Sequence, residues 1–303
     1  MIKSRESSAE VETAILIMTT IWELDFYSRP VLDENNKKLW EVLVCESPMD
    51  VRTPVDSLFR YSEFCSGAEV NSVRLRDALN NAIAQAPKPP DKIRFFRRQM
   101  TNMITKACQD ADIPVYASRR TLALDQWIRQ RMQDVYPTMP TYQDSKNPSV
   151  NLPSATPQPL PDALMGEKWM FVTLEGAALE EMPEWDIAFG EAFPLALAGL
   201  APDAPIPGLV IFTSRALPMA AWMSGIELAF LKFMDVPPRL VLETGADDAW
   251  SLANLPKPTL QAEAKNFETA KEKANGVHFL AIQSDPKAES FAGFWLLQEL
   301  NLA

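Results

Sequence analysis

Carboxylates are the residues of this chain whose spacing could support catalysis. Glu23 and Asp25 alternate along WELDFYS, Trp22 to Ser28, and Glu41 stands in LWEVLVCE, Leu39 to Glu46. Alternation puts Glu23 and Asp25 on one face of a strand, and a hairpin between the two segments would set Glu41 beside them. Glu243, Asp247 and Asp248 form a second group at the end of RLVLET. Hard oxygens at strand ends suit Mg2+, and two such ions can cleave a phosphodiester. A lysine two residues after an acid would sharpen that reading. Glu263-Ala-Lys265 has the form, but in a helix-like or loop region far from the other acids. A solvated strand face with local salt bridges accounts for the same pattern and is preferred. A divalent-metal-dependent, nuclease-like enzyme is the alternative.

Other catalytic chemistry finds little material. Neither G-x-x-x-x-G-K-[ST] nor G-x-G-x-x-G occurs, and ten glycines leave few for a phosphate-cradling loop. The single histidine, His278, lies in the apolar VHFLAI and reads as a buried strand residue rather than a triad member. Cys45, Cys65 and Cys108 are too scattered for a disulfide framework, and with one histidine a Cys/His zinc site is nearly excluded. The sequence therefore predicts no catalytic residue, no metal ligand and no cofactor.

Arginine pairs are the better candidates. Arg97-Arg98 and Arg119-Arg120 end two consecutive strand-like segments, Ile93 to Arg98 and Ile113 to Arg119. Ligands gather at the carboxyl ends of strands in open α/β sheets, and the guanidinium fork fits phosphate. The bland reading pairs these arginines with Asp125 and Asp134 on the following helix. Near the end, AGFWLLQEL, Ala292 to Leu300, has the spacing of an amphipathic helix docked on the core; an exposed Trp295 stacking on a base is the rival.

These residues need elements to position them, and two repeated sets are visible. In the first half a hairpin, Trp22 to Ser28 and Leu39 to Glu46, precedes helices around Val70–Ala86, Met100–Ala111 and Thr121–Asp134, with strands between. In the second, strands at Trp169–Glu175, Trp185–Glu191, Gly208–Arg215 and Arg239–Thr244 surround an apolar helix after Pro218. Trp22 and Trp169, Trp40 and Trp185, and Trp127 and Trp250 fall at comparable places. The expected fold class is α/β: two similar halves, each a mixed β-sheet (an N-terminal hairpin, then β-α-β-α) packed by helices. Seven prolines between Pro137 and Asp162 bar helix and central strand there. The expected division is an N-terminal domain over 18–136, a linker over 137–162 and a C-terminal domain over 163–303.

Composition agrees with two ordinary cores: 303 residues, 47% hydrophobic and 23% charged. The net charge of −11 belongs wholly to the second half, since residues 1–150 hold 20 basic and 20 acidic side chains. Within the first half, residues 92–131 hold nine basic and three acidic residues, a basic face inside an acidic protein. Overall acidity argues against promiscuous nucleic-acid binding but leaves room for a local basic face that holds phosphates. The first 17 residues read as a loose tail with neither secretory nor transit character, and Ala216 to Met234, interrupted by Glu227 and Lys232, does not read as a membrane span. A cytoplasmic protein without membrane insertion is expected.

Three segments together resemble one family. IWELDFYSRPVLDENNKKLWEVLVCES, IPVYASRRTLALDQW and the triplet Trp295-Leu296-Leu297 are similar to the Tab-two/Atab-two family of the chloroplast and cyanobacterial lineage, and the likeness runs from Trp22 to Leu300. The resemblance implies an RNA-binding, non-enzymatic protein that promotes translation of the mRNA for a photosystem I reaction-centre subunit, with both photosystems served in some lineages. It implies a functional role for Trp295, Leu296 and Leu297. The expected partner is single-stranded RNA, an A/U-rich mRNA leader, held by Arg97, Arg98, Arg119 and Arg120; photosystem assembly proteins are a second class of partner, and an assembly scaffold without direct RNA binding is the rival function.

Overall fold

In the computed structural model of the protein, residues 19–144 and 155–300 are described. The expected N-terminal tail and the middle of the proline-rich linker lie outside them. Strand β1 (Ile21–Leu32) runs antiparallel to β2 (Lys38–Glu46), with Glu23 opposite Cys45 and Tyr27 opposite Glu41. Asp33 sets the turn between them. Its Oδ1 accepts the backbone N–H groups of Asn35 and Lys37, while Asn36 takes a left-handed φ of 59°. An unanticipated strand, β3 (Arg60–Cys65), continues the meander. Helix α1 (Ser72–Gln85) then leads to β4 (Lys92–Phe95), α2 (Thr101–Asp110) to β5 (Val115–Ala117), and α3 (Leu122–Asp134) follows. β4 adds parallel to β1 and β5 parallel to β4, giving the order β3-β2-β1-β4-β5. β4 ends at Phe95, so Arg97-Arg98 sits in the turn entering α2 rather than on the strand.

The second half also holds a five-stranded mixed sheet, but it does not open with a hairpin. β6 (Gln158–Pro159) is a short edge piece. β7 (Lys168–Glu175), the short helix α4 (Gly176–Leu179) and β8 (Ile187–Glu191) come next. β9 (Pro205–Phe212), α5 (Ala216–Ser224), β10 (Leu228–Asp235), β11 (Pro238–Thr244), β12 (Asp248–Asn254), α6 (Pro258–Lys273), β13 (Val277–Gln283) and β14 (Phe291–Gln298) complete the half. β7 pairs antiparallel with β9, while β8 lies at the far edge against β14, in the order β7-β9-β13-β14-β8. A third sheet has the order β10-β11-β12-β6: β10, β11 and β12 are inserted between α5 and α6, and β6 joins them from ahead of β7. The apolar run Ala216–Met234 is therefore split: the helix stops at Ser224 before Gly225, and the rest is a strand. Trp127 and Trp250 sit on a helix and a strand respectively, so they are not equivalent.

The expected helix at Ala292–Leu300 is also corrected, because Phe291–Gln298 is strand β14. Both faces of this sheet are covered, so both sets of alternating side chains are apolar and a continuous apolar run results. Trp295 and Leu297 enter a core formed with α5 and the third sheet, and Leu296 enters a different one.

Alternation divides the first sheet in two. Trp22, Leu24, Phe26, Ile93 and Phe95 pack on α1 and α2 through Leu75, Leu79 and Ile104. The opposite face carries Glu23, Asp25, Lys92 and Arg94. It is buried beneath α3 and the second half, not solvated as the sequence suggests. The two halves share a core in which Leu43, Phe96, Trp127 and Ile128 meet Phe193, Phe279, Phe294 and Leu296.

Candidate nucleic-acid interface

The three acids of the first sheet are all buried, and none faces an open metal site. Asp25 accepts Nε of Arg97 at 2.5 Å and Nη2 of Arg29 at 2.8 Å. Burial acts to raise its pKa, but Arg97 and Arg29 outweigh it and hold the carboxyl below its usual value. Glu41 accepts from Arg29 Nε at 3.1 Å, from Tyr136 Oη at 2.5 Å and from Arg131. Glu23 accepts Ser47 Oγ and the backbone N–H of Leu124, each at 2.7 Å. With no cation bonded to it, burial pushes Glu23 up to about 7. Among the described residues no group of three or more His, Cys, Asp or Glu is placed to hold a metal ion. The acids are neutralised by arginines and hydrogen bonds.

His278 is a core histidine, as expected. Its Nε2 accepts the N–H of Leu231 at 2.8 Å, so its proton sits on Nδ1 and is donated to Gly276 O, also at 2.8 Å. Burial pushes its pKa down to about 3.

The four candidate arginines meet carboxylates, but not Asp125 and Asp134. Arg97, 2% exposed, lies on Asp25 with its guanidinium 3.9 Å from the Tyr27 ring centroid. Arg119 donates from Nη2 to Glu243 at 2.7 Å, and Arg120 from Nε to Glu191 at 2.5 Å. Arg98 pairs with Asp247 at 2.7 Å and keeps 43% of its side chain in solvent. Three of the four thus reach the second half. An arginine that the sequence reading passed over joins them: Arg94 clamps both Glu191 oxygens, at 2.6 and 2.9 Å, and donates to Glu227 at 2.6 Å. Glu227 also accepts from Lys92 at 2.7 Å and from Ser118 at 3.0 Å. Burial alone would raise the Glu191 carboxyl; Arg120 and Arg94 reverse that and hold it far below the usual carboxylate range. The Lys92-x-Arg94 alternation, in register with Ile21-x-Glu23 on β1, was the available signal.

Beside this network a cleft of about 280 Å3 opens between the halves. Lys92, Arg94, Arg120 and Glu191 form its polar wall, Met49 and Trp295 part of its apolar one. Trp295 is only 3% exposed, so it supports the cleft from within the sheet rather than standing free.

Residues 21–131 match the model for the N-terminal domain of the RNA-binding protein Tab2/Atab2, and residues 147–298 match its C-terminal domain. The chain belongs to the Tab2/Atab2 RNA-binding family. Within that family it is 38% identical to the chloroplastic TAB2 homolog of Arabidopsis thaliana, over 92% of this chain and 74% of that protein. It is 36% identical to the chloroplastic TAB2 homolog of Zea mays, over 92% and 71%. No solved structure matches it significantly. Tab2/Atab2 is a family of RNA-binding proteins, not of enzymes, which agrees with Asp25 and Glu41 being committed to arginines and Glu23 to Ser47 and a backbone N–H. Among the described residues no helix is long and apolar enough to cross a membrane.

Proposed function

We propose that this chain promotes translation or biogenesis of photosystem I components by binding a single-stranded, A/U-rich mRNA leader in the cytoplasm. Membership of the Tab2/Atab2 family across both halves carries this reading. The surface proposed to meet RNA is the basic edge of the first half. Arg98 is its solvent-facing phosphate contact, with Arg97, Arg119 and Arg120 fixing that edge from beneath. Trp295, Leu296 and Leu297 act in the same proposal by holding the sheet on which the edge rests. An acidic protein of net charge −11 needs such a local site, because long-range attraction to RNA is against it.

The test is fluorescence anisotropy of a labelled A/U-rich single-stranded RNA across a salt series. The logarithm of affinity should fall linearly with the logarithm of salt concentration. Arg98→Ala should weaken binding equally for all sequences and lower the slope by about one unit. Salt-independent binding removes the phosphate role. No binding at low salt moves the function to a photosystem assembly scaffold, for which the acidic second half is the surface to probe with partner proteins after ribonuclease treatment.

A further inference from the structure

We propose that the cleft between the halves is a nucleotide pocket: it takes one unit of the bound single-stranded RNA, with phosphate on Arg120 and Lys92 and the base against Met49 and Ile226. This deepens the RNA-binding reading and rests on it. Arg120 is the decisive observation. It is 95% buried by its 5% exposure, and Glu191 engages its Nε and Nη2. Its Nη1 has no hydrogen-bond partner among the described residues, yet it is not among the polar atoms sealed from solvent. A buried guanidinium is thus held by one edge with a donor left over, and it lines the cleft. Glu191, itself clamped by Arg94, fixes that orientation.

Charge and size select the ligand. Lys92, Arg94 and Arg120 meet two carboxylates, Glu191 and Glu227, so the cleft wall keeps an excess of one positive charge. One phosphodiester would neutralise it, and a guanidinium edge is shaped to receive phosphate oxygens. A volume of about 280 Å3 admits a single nucleotide and not a duplex. Met49, with its polarizable sulfur, and Ile226 are partly exposed and supply apolar walls that accept any base. Thr19 and Ser224 are exposed at the rim, where a strand can enter and leave.

The experiment uses the full chain, a short labelled single-stranded RNA and free nucleoside 5′-monophosphates as competitors, with circular-dichroism melts of every variant. Arg120→Lys keeps the charge but loses the fork, and should weaken RNA binding about tenfold. Ser224→Trp fills the mouth from an exposed position; it should weaken binding about tenfold and lower the salt slope by about one unit, for the phosphate it shuts out, while leaving the melting temperature in place. Wild-type affinity in both variants overturns the pocket and leaves the RNA-binding reading standing. No RNA binding by the wild type overturns both. A free monophosphate that binds as tightly as the RNA assigns the pocket to a soluble nucleotide and overturns the RNA occupant; competition at least tenfold weaker than RNA supports it.

Discussion

Glu23 gives the residue scale its clearest consequence. Its folded-state pKa of about 7 lies above the ordinary 4.5, so between those values the folded protein holds a proton that the unfolded chain has lost. Stability therefore declines as pH rises from about 4.5 to 7, by about 3 kcal/mol over the span. His278 has the opposite sign. Its pKa falls from 6.5 to about 3, so the unfolded chain binds the extra proton and stability is lost as pH drops below 6.5. From 4.5 to 6.5 the two slopes oppose each other. Glu23→Gln removes only the first, since an amide can accept from Leu124 N–H and donate to Ser47 Oγ. Urea unfolding of the variant should show stability rising from pH 5 to 6.5, and at pH 8 an excess over wild type of about 3 kcal/mol. A variant that is no more stable at pH 8 would mean that Glu23 is ionised at little cost.

At the scale of the element, β14 is the strand to perturb. A methyl group on Gly293 would lie 2.3 Å from Trp295 Cη2 and 3.1 Å from Ala220 Cβ. Gly293→Ala should then cost about 1–3 kcal/mol and shift the Trp295 emission, because the ring must leave its place beside α5. Unchanged emission and stability would show that the ring yields freely. This element also shows where reading the sequence stops. Phe294, Trp295, Leu297 and Leu300 fit helical spacing as well as they fit a strand covered on both faces, and periodicity cannot separate the two. β1 and β2 were legible because they flank a marked turn, and α1, α2 and α3 because their apolar residues recur at helical spacing. Asp33 and its neighbours mark a turn, and Asn71 caps α1 by accepting the Arg74 N–H.

For the whole molecule, what matters is that the halves are joined by charge as well as by a core. The arginines of the site were visible by type, but their partners were not: Glu191 is 97 residues from Arg94, and Glu243 is 124 from Arg119. Nothing local encodes such a pairing, which is why Asp125 and Asp134 looked nearer to hand. Glu191→Ala would strand the buried Arg120 guanidinium and leave Arg94 with Glu227 alone, and should destabilise the chain by about 3–5 kcal/mol. With a shared core, the intact protein should melt in one transition by calorimetry, and two separated transitions would refute the coupling. The same ion pairs bear on how such proteins can diverge. A first half grafted onto a second half without acids at the places of Glu191 and Glu243 would carry arginines that nothing answers, so the unit that can be exchanged intact is the pair of halves.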